Sequence, residues 1–125
     1  MPYSWKIDRQ TGRAHVRGWG RMDIDESLEA PRKLVDHPDF HPAHSVLVDL
    51  RELLIEPLAE ELVAVGRNLA KLQDRMQGRV AVVVTPEHAT AAELGAAMAA
   101  AGGFQNLRVY TDPALAEPWL AGEED

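Results

Sequence analysis

Apolar and polar residues alternate along the first 20 positions with the period of two that half-buried strands show. Tyr3, Trp5 and Ile7 alternate with polar neighbours, and a second alternating run follows a Thr-Gly turn. Glycine accepts the positive φ angle that such a turn requires. The pattern predicts an antiparallel hairpin, with strands at 3–9 and 13–20.

Three later segments predict further strands. The nearly continuous apolar runs at 45–50 and 79–84 indicate strands buried on both faces, as in a parallel sheet. A shorter run predicts a last strand at 107–111. Helix-start residues precede the segments between and after these strands: Asp23 with Glu26 in capping-box spacing, Pro57, Thr85-Pro86 and Asp112-Pro113.

Four helices are therefore expected. The first ends at His37-Pro38, and Pro31 within it predicts a kink or an interruption, because proline lacks an amide proton. The third is rich in alanine, and Gly102 stops it. The second has the clearest apolar stripe, which runs to the stop at Gly78 through residues spaced by three and four: Leu58, Leu62, Val65, Leu69, Leu72 and Met76.

The resulting order is β-β-α-β-α-β-α-β-α. Strands that alternate with helices predict parallel pairing through right-handed crossovers. The 125 residues suit one domain, and no linker or repeat divides them. The sequence thus predicts an α/β fold with a single domain over residues 1–125.

Charge and composition exclude several classes of function. The formal net charge of −7 argues against nucleic acid and anionic membranes as partners. The chain has no cysteine, so disulfides and thiolate chemistry are excluded. No apolar run reaches the roughly 20 residues of a membrane span, and no signal peptide is visible at the N-terminus. A cytoplasmic protein is expected.

Three segments, HPDFHPAHSVLVDLREL, GRVAVVVTPE and LRVYTDPALAEPWL, resemble in order and spacing the bacterial SpoIIAA-like (STAS-like) domains. The resemblance implies a five-stranded mixed sheet with an N-terminal hairpin and four helices mainly on one face. It also implies a non-enzymatic, regulatory role in protein interaction. Kinship with lipid-carrying CRAL-TRIO folds implies an alternative role, as carrier or sensor of a small apolar or lipid-like ligand.

One feature departs from the anti-sigma-factor antagonists of this family. They carry a phosphorylatable hydroxyl residue near the start of the helix after the central strand. Here residues 49–57 contain no serine, threonine or tyrosine. Phosphorylation at this site is therefore not expected.

Histidines form the most conspicuous cluster of chemical groups. His37, His41 and His44 lie within eight residues and could bind zinc. Their spacing is not that of a helical ligand pair, and two neighbouring prolines indicate a loop. A polar surface loop is the favoured interpretation, and no metal or cofactor is expected.

A polar ligand-binding site is a second candidate. Ligands in α/β folds bind beyond the carboxyl ends of the strands. Asp49, Arg51, Thr85 and His88 are expected to gather there, with Asp49 as base or anchor and Arg51 binding an anion. Alternatively, Asp49 supports the following turn or pairs with Arg51. No serine nucleophile motif or phosphate loop is visible, so catalytic residues are not expected.

The apolar central strands also predict self-association. If the helices cover one face of the sheet, the other face would be left apolar, and monomers seldom expose large apolar patches. A homodimer is the commonest solution. Trp5 and Trp19 of the hairpin are expected at or near this contact. The competing possibility is a monomer in which other elements cover that face.

Overall fold

The computed structural model describes residues 3–21, 23–54 and 58–123, and within them one sheet carries helices on both faces. A 3₁₀ turn, Pro86–His88, precedes the third helix. The α/β class and the element order are as predicted. The strands are β1 (Tyr3–Asp8), β2 (Arg13–Gly20), β3 (Ser45–Leu53), β4 (Val80–Val83) and β5 (Leu107–Tyr110), and the helices are α1 (Ile24–Asp36), α2 (Ala59–Ala70), α3 (Ala89–Ala101) and α4 (Pro113–Leu120).

The strands lie side by side in chain order, from β1 at one edge to β5 at the other. β1 is antiparallel to β2, and the remaining pairs are parallel. Every parallel crossover steps in the same direction, so right-handed connections bring α1, α2 and α3 to the same face. α4 packs on the opposite face, against Ala81 and Val83. The mixed five-stranded sheet with helices mainly on one face is therefore confirmed.

α1 begins and continues in ways that the sequence predicts only in part. The Asp23 carboxylate accepts the Glu26 amide at 3.1 Å, as a cap should. Of the kink or interruption expected at Pro31, the interruption is absent, because the helix runs through this residue without a break. Proline removes one backbone bond, and burial of Leu34 and Val35 against the sheet offsets that loss.

β3 is longer than the sequence predicts. It continues past residue 50 to Leu53, and its end pairs with β2 across an irregular register. Arg17 lies opposite Asp49, whereas Trp19 lies opposite Glu52, so β3 contains an extra residue at this point. The sequence does not predict this extension, because the residues at the end of the strand are charged and the apolar run stops before them.

α2 is shorter than the sequence predicts. It ends at Ala70, and the chain continues in turns. Leu72 and Met76 remain buried within those turns, which explains why the apolar spacing continues past the helix. At the start, the Leu58 amide donates to the Glu61 carboxylate at 2.9 Å. Pro57, the predicted first residue, lies outside the described residues.

The two hairpin tryptophans lie on opposite faces of the sheet. Trp5 pairs with Val16, whose side chain is buried on the side of α1 to α3. Trp19 follows Arg17 at the alternate position, and the Arg17 guanidinium lies 4.8 Å from its ring centre. One contact surface therefore cannot use both tryptophans.

The face opposite α1 to α3 is covered or polar, so the expectation that it lies open and apolar is wrong. α4 places Ala116, Trp119 and Leu120 over its central strands, where they form a second core. Over the hairpin, the same face carries the exposed Lys6 and His15. The predicted reason for dimerisation through this face is lost.

α2 and α3 approach each other closely at Gly66. A Cβ atom there would lie 2.6 Å from the Gly95 carbonyl oxygen and 2.7 Å from the Met98 Cβ. Only glycine permits this contact, since side-chain atoms cannot come so near a helix backbone.

Among the described helices, none is long and apolar enough to cross a membrane.

Candidate functional site

Two residues of the predicted polar site, Asp49 and His88, lie on opposite faces of the sheet. Asp49 alternates with Leu47, which packs in the core beneath α4, so Asp49 faces that side. Thr85 and His88 lie beyond the end of β4, and His88 faces the layer of α1 to α3. The Thr85 hydroxyl is 3.4 Å from His88 Nδ1. The structure thus gives two pairs instead of one cluster of four.

Asp49 and Arg51 form a bidentate ion pair. Nε and Nη2 of Arg51 donate to the two carboxylate oxygens at 3.0 and 2.8 Å, and the Arg51 amide adds a bond of 3.1 Å. The Arg51 side chain is the main reason that the pKa of Asp49 lies below its usual range. A carboxylate so held is a weak base at neutral pH. The geometry favours the structural alternative for this pair.

The three loop histidines stabilise their own loop. Their Nδ1 atoms accept backbone amides: Asp39 donates to His37 at 3.1 Å, Ala43 to His41 at 3.0 Å, and the His41 amide to His44 at 3.2 Å. An accepting Nδ1 leaves the proton on Nε2, and a protonated nitrogen cannot ligate a metal. Within the described ranges, no three His, Asp or Glu side chains are grouped to hold a metal ion.

A different feature stands out on the helical side of the sheet, where an apolar cavity of about 170 Å³ lies between the strands and α1 to α3. The sheet contributes Val16, Val46, Val48, Val82 and other side chains to its wall. Protein interiors seldom leave voids larger than a water molecule. The residues that line this space are almost all apolar.

Small residues on α3 create the cavity. The inner side of this helix carries Ala91, Ala92, Gly95 and Ala96, all of which line the space. A Cβ added to Gly95 would meet nothing nearer than 3.8 Å.

The cavity extends from the start of the central strands, at Val46 and Val80, to the carboxyl edge of the sheet, at Leu53. At its inner end Val46, Met76 and Val80 are buried, at 4% exposure or less. At its other end Leu53 and Leu62 are only half-buried. This is the edge at which α/β folds bind their ligands.

Exposed leucines lie beside this end of the cavity. Leu54 directly follows the lining Leu53 and is 78% exposed. Leu58 precedes α2, whose first turns carry the lining Leu62, and is 62% exposed. We call Leu54 and Leu58 the rim leucines.

Few polar groups reach the cavity wall. Tyr3 and Ser27 line it, and their hydroxyl oxygens are 2.8 Å apart. His88 also lines the cavity. It belongs to the polar site predicted from the sequence, and it connects that site to the cavity. An apolar space with a few convergent polar groups is typical of a small-molecule site.

Sequence reasoning missed the cavity, although it contained one relevant signal. The alanine-rich stretch predicts a helix, and small residues that face apolar strands also leave unfilled volume. The sequence does not show whether neighbouring leucines and valines fill that volume, because this depends on the spacing between layers.

Comparison with known proteins adds no functional assignment. No protein-family model matches the chain, and no curated protein matches it. The SpoIIAA-like assignment therefore remains a prediction from the resemblance of the three segments.

Proposed function

We propose that this protein is a non-enzymatic carrier or sensor that binds a small apolar molecule in the cavity beneath α3. The observation that carries the proposal is the cavity itself, which is about 170 Å³ in volume and reaches the carboxyl edge of the sheet at Leu53. An apolar molecule bound there would make van der Waals contacts with the lining side chains. The favoured ligand is apolar because the walls are almost entirely aliphatic.

Cavity size limits the class of ligand. An apolar cavity of about 150 Å³ engineered into another protein holds benzene. Ordinary drug-sized ligands need roughly 300 Å³ or more. The proposal is therefore narrower than the lipid-like ligand of the sequence analysis: a single ring, or a chain of similar bulk.

Toluene provides a direct test. We expect calorimetric titration to give one site per chain with a Kd below about 1 mM, which corresponds to a binding free energy of roughly −4 kcal/mol. Divided over the seven carbon atoms of toluene, this binding free energy is about 0.6 kcal/mol per atom. The limit for very small ligands is roughly 1.5 kcal/mol per non-hydrogen atom. Absence of saturable heat, together with no rise in the unfolding midpoint at saturating toluene, would reject the proposal.

A second candidate, the interaction module implied by the resemblance, is favoured by the rim leucines. Two large apolar side chains exposed at one edge suit a partner surface, and a second copy of this chain is the simplest occupant. We therefore place the homodimer contact at this edge and not on the sheet face, which α4 covers.

Sedimentation velocity at micromolar concentration tests the homodimer. We expect the native protein to sediment as a dimer and Leu58→Asp to sediment as a monomer. Aspartate is a better N-cap than leucine for α2, so the substitution should not unfold the helix. Native protein that sediments as a monomer would refute self-association through the rim leucines.

A further inference from the structure

Tyr3 and Ser27 both line the cavity, and Gly18 makes the contact between their hydroxyls possible. Tyr3 lies opposite Gly18 in the hairpin, on the helical side of the sheet. A Cβ on Gly18 would lie 3.0 Å from the tyrosine ring and 2.8 Å from Leu50. Without that atom, the ring can lie across β2 and its hydroxyl reaches Ser27 of α1, which is buried at 5% exposure.

The hydroxyl pair has spare hydrogen-bonding capacity. Each hydroxyl carries one proton and two acceptor lone pairs. The Tyr3–Ser27 contact of 2.8 Å uses one proton and one lone pair, and no other partner of either hydroxyl is found among the described residues. Burial is the main reason that the pKa of Tyr3 is raised, so the phenol keeps its proton at neutral pH. The pair can therefore both donate to a ligand and accept from it.

Charge around the pair disfavours an anionic ligand. Glu26 directly precedes Ser27 on α1, and its charge also raises the pKa of Tyr3. One of its oxygens, Oε2, is out of contact with solvent and has no hydrogen-bond partner among the described residues. Among the described residues, those that line the cavity include no lysine and no arginine. A carboxylate ligand would leave water for a site without a cation, at high cost.

We propose that the ligand is a neutral molecule of single-ring size with one hydroxyl group, which binds against the Tyr3–Ser27 hydroxyl pair. This inference rests on the proposed function and adds the chemistry of the ligand's polar end. The ring contacts the aliphatic wall, and the ligand hydroxyl exchanges hydrogen bonds with the pair. A hydroxyl that leaves water needs such replacement bonds.

Three ligands that share the toluene ring provide the test: toluene, p-cresol and p-toluate. Transfer from water alone favours toluene over p-cresol, because the cresol hydroxyl must give up its hydration. We nevertheless expect p-cresol to bind about fivefold more tightly than toluene, since the pair replaces those bonds. We expect p-toluate to bind at least about tenfold more weakly than toluene.

The double variant Tyr3→Phe/Ser27→Ala should abolish this preference. It removes both hydroxyls and keeps the apolar atoms. Transfer from water alone should then decide the affinities, so toluene should bind the double variant as tightly as p-cresol or more tightly. Ser4→Ala is the matched control, since it removes an exposed hydroxyl from the same strand, on the other face. This control should keep the native preference for p-cresol.

The outcomes separate the two proposals. If toluene binds and p-cresol binds no more tightly, the hydroxyl inference is wrong while the apolar-ligand function stands. Tightest binding of p-toluate, or an unchanged preference in the double variant, would also overturn the inference. If no ligand binds, both proposals fail.

Discussion

Replacing Trp119 by alanine is expected to lower the free energy of unfolding by about 3–5 kcal/mol. Trp119 is 4% exposed and lies at the centre of the second core, beneath α4. The guanidinium groups of Arg79 and Arg108 lie 5.2 and 4.9 Å from its ring centre, and the Tyr110 ring lies at 6.1 Å. Truncation removes both the apolar contact and these ring interactions.

Urea unfolding at equilibrium measures this effect. Leu115→Ala is the matched control, because this leucine lies on the same short helix and is 60% exposed. It should change stability by no more than about 0.5 kcal/mol. A loss below about 1 kcal/mol for Trp119→Ala would mean that α4 does not cover the sheet, and the open face would again be available for dimerisation.

Ala96→Leu is expected to abolish toluene binding while leaving the fold intact. Ala96 lines the cavity from the middle of α3, where helical side chains point back towards the preceding turn and so towards Ala92. Leucine adds three carbon atoms to a space that holds about one ring, and it is nearly as good a helix former as alanine. We expect the Kd for toluene to rise more than about tenfold, a loss above roughly 1.4 kcal/mol, with stability unchanged or increased.

Calorimetric titration of both proteins measures the difference. Ala97→Leu provides the control, since it makes the same change one residue further along, at an exposed position. Its toluene affinity should equal that of the native protein. Equal binding by Ala96→Leu and the native protein would place the ligand elsewhere.

The sequence predicted the element order because each strand and helix carries its own period of apolar residues. It failed where a single residue or a boundary depends on tertiary packing. Pro31 does not interrupt α1, since burial of the neighbouring Leu34 supports the helix. The end of β3 is charged, and its extension depends on pairing with β2, where Arg17 binds Glu52 through two hydrogen bonds of 3.2 and 2.6 Å.

The candidate site was harder to predict than the fold. Asp49 and His88 both follow apolar runs near the carboxyl edge, but the side of the sheet that each faces depends on the alternation along its own strand. His88 faces the cavity, and Asp49 faces away from it. The Tyr3–Ser27 pair joins residues 24 positions apart in sequence, and no local pattern in either segment indicates that contact.

Methyl NMR of the native protein during a toluene titration tests the central claim most directly, since it reports where the ligand binds as well as whether it binds. We predict saturable shifts in the methyl groups that line the cavity, including Val48, Val82 and Leu62, with no change at the exposed Leu115. Shifts that do not saturate, or that occur only at exposed leucines, would contradict the account.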